Sequence, residues 1–274
     1  MLQRRCSISP DVLIPEPLIP NPLIKVVAEI ASTNSALLTR LSEGEAAQEG
    51  TWLVADRQSA GRGRAGRIWT GGLGNFMGST AVALRSDETL PQTLALVAGV
   101  AVHRALLALV PGLADLQLKW PNDLLVEGAK LGGILLERQG PSVVVGIGVN
   151  LAEAPAVPGR ATVSLAGLGH PVGRDVFADA LAEVWAEALA RWHGGGWPAL
   201  REDWLARAHP KGTLLSVNLA EEGPVIGGFA GLDAQGAVLL RLADGAVRAI
   251  HAGDVELVGQ SLSRAEGGYD ASRG

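Results

Sequence analysis

Between two strand-like runs, TWLVAD (Thr51 to Asp56) and NFMGSTAVAL (Asn75 to Leu84), the chain carries QSAGRGRAGRIWTGGLG. This stretch limits the possible folds more than any other. Its GRGRAG segment has the G-x-G-x-x-G spacing of a dinucleotide-binding turn, and a strand precedes it. Such a turn has to open directly into a helix, with an acidic residue about 20 positions further on. IWTGGLGN is too rich in glycine to start a helix, and another strand follows, so the doubly wound dinucleotide fold is set aside. What remains is a loop built to meet an anion. Glycine lets backbone N–H groups come close to a ligand, and arginine adds forked donors that match phosphate or carboxylate oxygens. Trp69 offers a flat apolar surface for a base. Arg62, Arg64 and Arg67 repel one another when nothing is bound, so ligand is expected to order the loop. A solvated turn with no ligand is the plain alternative.

Composition narrows the choice of anion. The 274 residues carry 28 acidic against 23 basic side chains, a net charge of −5, where a dedicated nucleic-acid binder has a basic excess. Hydrophobic residues make up 47% of the chain, enough for one large domain or two small ones. Cys6 is the only cysteine, which rules out an intramolecular disulfide and a cysteine metal site and fits a cytoplasmic location. The five histidines are scattered without an HExxH pair, so a zinc enzyme is not expected. The most apolar window, Leu94 to Val110, is interrupted by His103 and Arg104. At about 17 residues it is at the lower limit for crossing a bilayer. It reads as a buried amphipathic helix, and no membrane partner is expected. The opening MLQRR is not followed by the unbroken apolar run of a signal peptide.

Residues 1–24 hold five of the fifteen prolines and read as an extended, flexible arm. From Ile24 the pattern gives a strand (IKVVAEI), an N-cap (STN) and a helix (NSALLTRL), then the strands flanking the arginine-glycine loop. The long helix around Leu94 to Val110 follows. LQLKW is a strand running into a loop, PNDLLVEGA, and KLGGILLE and SVVVGIGVNL are consecutive strands. Helices are expected over about 174–192 and 198–208, with HGGG (His193 to Gly196) acting as a helix stop. From Pro210, TLLSVNL, PVIGGFAGL, AVLLRL and AVRAIHAG are short strands separated by turn signals, the pattern of a small β-barrel. The expected division is 25–209 and 210–259, with a frayed tail at 260–274 and an α+β fold.

Three further segments carry chemistry. In KWPND, Lys119 is a cation at a strand end. Pro121 turns the chain out of the sheet, and Asn122 and Asp123 either bond the local backbone or face a ligand. In GAKLGGIL, Lys130 stands among small residues, either as a solvated edge charge or where a ligand approaches the backbone. GIGVN places Gly146 and Gly148 in an otherwise β-branched strand ending at Asn150.

In this order, STN, QSAGRGRxGRxW, KWPND, KLGGIL and GIGVNL together resemble the biotin protein ligases, also called biotin–acetyl-CoA-carboxylase ligases. The likeness runs from about Ile24 to Val258, with its strong motifs between Ser32 and Leu151. It implies a mixed-sheet catalytic domain of the biotin/lipoate ligase type with a C-terminal SH3-like barrel. It also implies a two-step activity: biotin and MgATP give biotinyl-5′-AMP, which then biotinylates a lysine of a biotin carboxyl carrier protein of acetyl-CoA carboxylase or a related carboxylase. By that resemblance Ser32, Thr33, Asn34 and Gln58 line the biotin pocket. Arg62, Gly63 and Arg64 cover biotin and the phosphates, and Gly61, Arg67 and Trp69 serve the nucleotide. Lys130 contacts biotin's carboxylate and the α-phosphate, Gly133 contacts biotin, and Lys119, Asn122 and Asn150 help to hold ATP. Arg64 and Lys130 are the expected catalytic residues. The Mg²⁺ ligands are left open, and the chain is expected to be a monomer or homodimer. Ala65 stands where some relatives carry another base, and Gly132–Gly133 where Ala-Gly is common. The proline-rich arm takes the place of the DNA-binding domain of bifunctional members, so DNA is not an expected partner. The rival readings are a lipoate–protein ligase or octanoyltransferase, and a non-catalytic nucleic-acid-binding module.

Overall fold

The computed structural model describes residues 22–85, 90–219 and 222–258. Nearly all of the expected proline-rich arm and the whole of the expected tail lie outside these residues. The chain opens with strand β1 (Leu23–Ile30), helix α1 (Thr33–Ser42), β2 (Thr51–Gln58) and β3 (Phe76–Ala83). Helix α2 (Leu94–Leu109) then leads to β4 (Leu116–Lys119), β5 (Asp123–Val126), β6 (Ala129–Gln139) and β7 (Ser142–Val149). These seven strands form one sheet in the order β1-β2-β3-β7-β6-β5-β4. β1 pairs with β2 in parallel and the other pairs are antiparallel, which makes the sheet mixed.

Strand alternation sorts the two faces. In β7, Val143, Val145, Ile147 and Val149 point into the hydrophobic core, and Gly146 and Gly148 line the opposite face. The β-branched run interrupted by glycine is therefore one apolar face alternating with one bare face. Helices α2, α3 (Arg174–His193) and α4 (Trp197–Leu205) cover the apolar face, and α1 lies against β3, β6 and β7 on the other. An aromatic cluster fixes α3 to β2 and β3. Trp52 meets Phe76 at 6.1 Å and Trp185 at 6.2 Å, and Phe76 meets Phe177 at 5.1 Å, all edge-to-face.

Helix α2 differs from the sequence expectation. It is buried on nearly all sides rather than amphipathic, because α3, α4 and the sheet surround it. Among the described residues, Pro91–Leu109 is long and apolar enough to cross a membrane, and 67% of that window is buried inside the protein. The segment expected as the loop PNDLLVEGA also differs. Its Asp123–Val126 portion is β5, fully buried and paired to β4 on one side and β6 on the other.

After α4 come β8 (Leu214–Leu219), β9 (Gly223–Leu232), β10 (Val238–Arg241), β11 (Val247–Ile250) and β12 (Asp254–Leu257). They form a second, antiparallel sheet in the order β11-β10-β9-β8-β12. Strand β12 was not foreseen. DVEL does alternate, with Val255 and Leu257 between Asp254 and Glu256, but four residues are a short signal, and pairing with β8 is what makes it a strand. One hydrophobic cluster runs through both sheets and includes Leu118, Trp204, Leu215, Phe229 and Val238. The Trp120 and Trp197 indoles donate to the carbonyls of Gly236 and Ala234 at 2.9 and 2.8 Å, which seats the second sheet on the first.

Candidate active site

The bare face of the large sheet, the arginine-glycine loop and the edge of β12 enclose a cavity of about 1110 Å³. It is lined by Ser32, Thr33, Asn34 and Gln58 at one end. Arg62, Gly63, Arg64, Arg67 and Trp69 line it from the loop, and Lys119, Asn122, Lys130, Gly133 and Asn150 from β4 to β7. Gly61 is the one expected site residue that does not line it. It is buried behind the loop, where a Cβ would fall on the Trp69 carbonyl, and its own carbonyl accepts from Trp69 N at 2.9 Å. Gly61 therefore shapes the loop rather than touching the cavity.

The first end is uncharged and polar. Ser32 caps α1, and Thr33 N donates to Gln58 Oε1 at 2.8 Å. Asn34 sits over Gly146, where any side chain would occupy the position of its amide. Beside it, the Trp69 ring lies on the sheet floor over Gly148, with Gly133 under its edge. Lys130 Nζ stands 5.6 Å from the ring centroid, a cation–π arrangement. Gly148 and Gly133 thus leave a slot one ring thick, and Gly146 leaves room for the Asn34 amide, which explains glycine at alternate positions of β7.

The second end is cationic and organised by a buried carboxylate. Asp123 receives Lys130 at 2.5 Å, Lys119 at 3.4 Å, and Arg160. Lys119 also donates to the Val255 carbonyl at 2.7 Å, so β12 closes this end. Burial opposes the charge on Asp123, but Lys130, Lys119 and Arg160 outweigh it and hold its carboxyl at about 2. Burial lowers the Lys119 and Lys130 ammonium groups from their usual range, with Arg160 adding to the effect and Asp123 resisting it. Three cations around one carboxylate leave an excess of positive charge facing the cavity, where a polyanion would complete the balance.

The loop folds over this cavity with each arginine partnered. Arg62 pairs with Glu137 at 2.7 Å, and Arg67 pairs with Asp254. Arg64 donates to Asn122 Oδ1 at 3.2 Å and to the Gly253 carbonyl at 3.3 Å. Two buried polar atoms of cavity-lining residues have no partner among the described residues: Asn150 Oδ1 and Trp69 Nε1. Asn122 does not bond its local backbone: its amide donates to the Ile134 carbonyl at 2.7 Å, and its Oδ1 accepts from Arg64.

The sequence reading missed Glu137, Arg160 and Asp254. Each is an ordinary surface-type residue by its local pattern. Glu137 and Asp254 meet loop arginines 75 and 187 positions away.

Residues 26–151 match the Biotin/lipoate A/B protein ligase family, and residues 216–258 match the Biotin protein ligase C terminal domain. A biotin–acetyl-CoA-carboxylase ligase of Paracoccus denitrificans is 40% identical over 79% of this chain and 93% of its own length. The enzyme of the same name from Mycobacterium tuberculosis is 36% identical, over 85% and 88%. A biotin protein ligase of Aquifex aeolicus, solved as the R40G mutant with biotin, superposes with a TM-score of 0.73 at 26% identity, covering 86% of this chain and 97% of that one. The chain belongs to the biotin protein ligase family, and its second sheet is the SH3-like C-terminal domain of that family.

Proposed function

We propose that the protein activates biotin with MgATP as biotinyl-5′-AMP and transfers the biotinyl group to a lysine of a biotin carboxyl carrier protein. The observation that carries this reading is the cavity's division into an uncharged hydrogen-bonding end and a cationic end, joined at Lys130 over the Gly133–Gly148 floor. A bicyclic ureido group suits the first end and a triphosphate the second. Biotin's carboxylate and the α-phosphate then meet beside Lys130.

In the first step a carboxylate oxygen bonds to the α-phosphorus, and the bond to the bridging oxygen breaks, so pyrophosphate leaves with its electrons. Both reactants are anions, so the protein's main task is to cancel repulsion and stabilise charge on the transferring group. Lys130 and Arg64 do this, with Arg67 and Lys119 on the flanking phosphates. Asn122 orients Arg64. Ser32, Thr33, Asn34 and Gln58 hold the vitamin, with Arg62 and Gly63 above it. Asn150 lines the nucleotide end, its amide tied to the Lys130 and Val163 carbonyls, and Trp69 covers the adenylate. In the second step the carrier's lysine amine attacks the acyl carbon and AMP leaves, so no protein nucleophile is needed. Among the described residues no three His, Cys, Asp or Glu side chains are gathered for a metal, and Mg²⁺ would enter with the nucleotide as MgATP, where it would neutralise phosphate charge.

We take residues 25–209 as the catalytic unit and 210–259 as the C-terminal one, acting in the cytoplasm as a monomer or homodimer without DNA. The change of sheet between α4 and β8 supports that division. Incubating the protein with apo carrier domain, MgATP and either biotin or lipoate, read by mass spectrometry, tests the activity. Biotin is expected on one carrier lysine, only with ATP. Transfer of lipoate but not biotin would point to the lipoate branch of the family.

A further inference from the structure

The segment after β7 holds the Lys130 backbone on both sides. Residues 157–160, Val-Pro-Gly-Arg, close a turn in which Arg160 N donates to the Val157 carbonyl at 3.1 Å, with Gly159 at φ 73°. Proline followed by glycine at the centre is the order that suits a type II turn. Past the turn the chain runs parallel to Lys130. Lys130 N donates to the Ala161 carbonyl at 2.9 Å, and Val163 N donates to the Lys130 carbonyl at 3.0 Å. Main-chain bonds therefore set Arg160 beside Lys130, and its guanidinium reaches Asp123 at the cavity wall.

The two oxygens of Asp123 are divided between neighbours. Oδ1 accepts from Lys130 at 2.5 Å. Oδ2 accepts from Arg160, with Lys119 at 3.4 Å. A buried carboxylate bonded to one lysine alone makes a closed pair, whose opposite fields largely cancel at a third charge. Shared with Arg160, the same carboxylate leaves the Lys130 ammonium with charge to spare. Without Arg160, Oδ2 would lose its bonded donor, and Lys130 could draw onto both oxygens, away from the Trp69 face it now stands over.

We propose that Arg160 is a positioning residue for the adenylation step: by occupying Oδ2 of Asp123 it keeps that carboxylate from neutralising Lys130, so the ammonium stays turned to the two meeting anions. This rests on the reading of Lys130 as the cation at which biotin's carboxylate and the α-phosphate meet. One consequence has a fixed sign. Burial lowers the Lys130 ammonium most, Asp123 opposes this, and Arg160 and Lys119 add to the lowering. Asp123 also faces Arg64, and Glu256 faces Lys119. Taking away the Arg160 charge removes one lowering influence, so Lys130 must then keep its proton to higher pH.

Arg160→Gln removes the charge, and Arg160→Lys keeps it. The contact to Asp123 is made through one nitrogen, Nη2, so an ammonium can replace it. Biotin-dependent exchange of labelled pyrophosphate into ATP, followed into the alkaline range, tests the idea, with melting curves confirming that each variant is folded. Arg160→Gln is expected to lower kcat roughly tenfold, the scale of one lost charge-assisted bond. The KM for MgATP should stay near the wild-type value, and the alkaline limb of kcat/KM should move to higher pH. Arg160→Lys should restore both kcat and the limb. In an Asp123→Asn background Arg160→Gln should cost nothing more, because the carboxylate it acts through is gone. A raised KM with kcat unchanged would make Arg160 a phosphate contact and overturn the proposal. So would an unmoved limb, a lysine variant no better than the glutamine one, or an undiminished loss in the Asp123→Asn background. A wild type without biotin-dependent exchange would instead overturn the functional reading, and the proposal with it.

Discussion

Lys130 and Asp123 show what a single residue does here. The lysine reads in sequence as a charge among glycines, and the structure gives it three neighbours: a carboxylate, an indole face and the bare floor at Gly133. Lys130→Ala is expected to lower biotin-dependent pyrophosphate exchange by roughly 10²–10³-fold, the scale for losing one preorganised electrostatic donor. Near-normal exchange would remove Lys130 from the reaction. Gly148→Ala places a methyl where the Trp69 ring lies, so the ring has to leave the floor. A fall of roughly 10²-fold in kcat/KM for ATP is expected, the scale of a 1 Å misplacement, measured under saturating biotin. An unaltered value would mean that Trp69 does not need that slot. Motif residues such as Lys119, Lys130 and Arg64 were legible because unusual residue types sit at strand ends or between glycines. Glu137, Arg160 and Asp254 were not. Their importance lies in partners remote in sequence, and a one-dimensional pattern carries no record of those.

At the scale of elements, the arginine-glycine loop makes the contacts least visible in the sequence. Mutual repulsion of its arginines led to the expectation that ligand orders the loop. The structure supplies each with an acceptor from a different element: β6 for Arg62, the Asn122 turn for Arg64, and β12 for Arg67. The carboxylates that hold the loop are those an incoming polyanion would displace. Arg64→Ala is expected to let the adenylate escape or hydrolyse faster, since this guanidinium lines the cavity, held by Asn122 and the Gly253 carbonyl. Asp254→Ala is expected to change the leak only a few-fold, because the Arg67 pair is about half exposed and such pairs are worth about 0–1 kcal/mol. Rapid filtration of the labelled adenylate complex measures both. Equal retention in wild type and Arg64→Ala would contradict the loop's shielding role. The strands of the large sheet were mostly readable from alternation, though their order was not. β12 was not, because its place depends on β8, and β5 was hidden by turn residues at its start.

At the scale of the molecule, one hydrophobic core joins two sheets, and two buried histidines sit where they meet. His103 on α2 and His209 after α4 both flank β4, bonding the Leu116 carbonyl and the Gln117 side chain. Burial, with Arg207 adding at His103 and Lys119 at His209, lowers each from 6.5 to about 4. Between those values the unfolded chain takes up protons that the folded chain refuses, so stability falls as pH drops from 6.5 towards 4. Asp123 acts in the same direction lower down. Its stabilisation is complete above 3.8 and is lost as pH falls through about 2. Melting temperatures across this range should decline in that order, and a flat profile between pH 6.5 and 4 would show that the histidines are not buried neutral. Folding and catalysis therefore draw on the same charges around β4, which the sequence could place only as separate motifs.

The central claim is that one cavity brings a biotin carboxylate against the α-phosphate of ATP. Incorporation of labelled pyrophosphate into ATP, with purified protein and no carrier present, measures that event alone. Exchange that appears only when biotin is added is the predicted result. Exchange without biotin, or none with it while both ligands are bound, would contradict the claim.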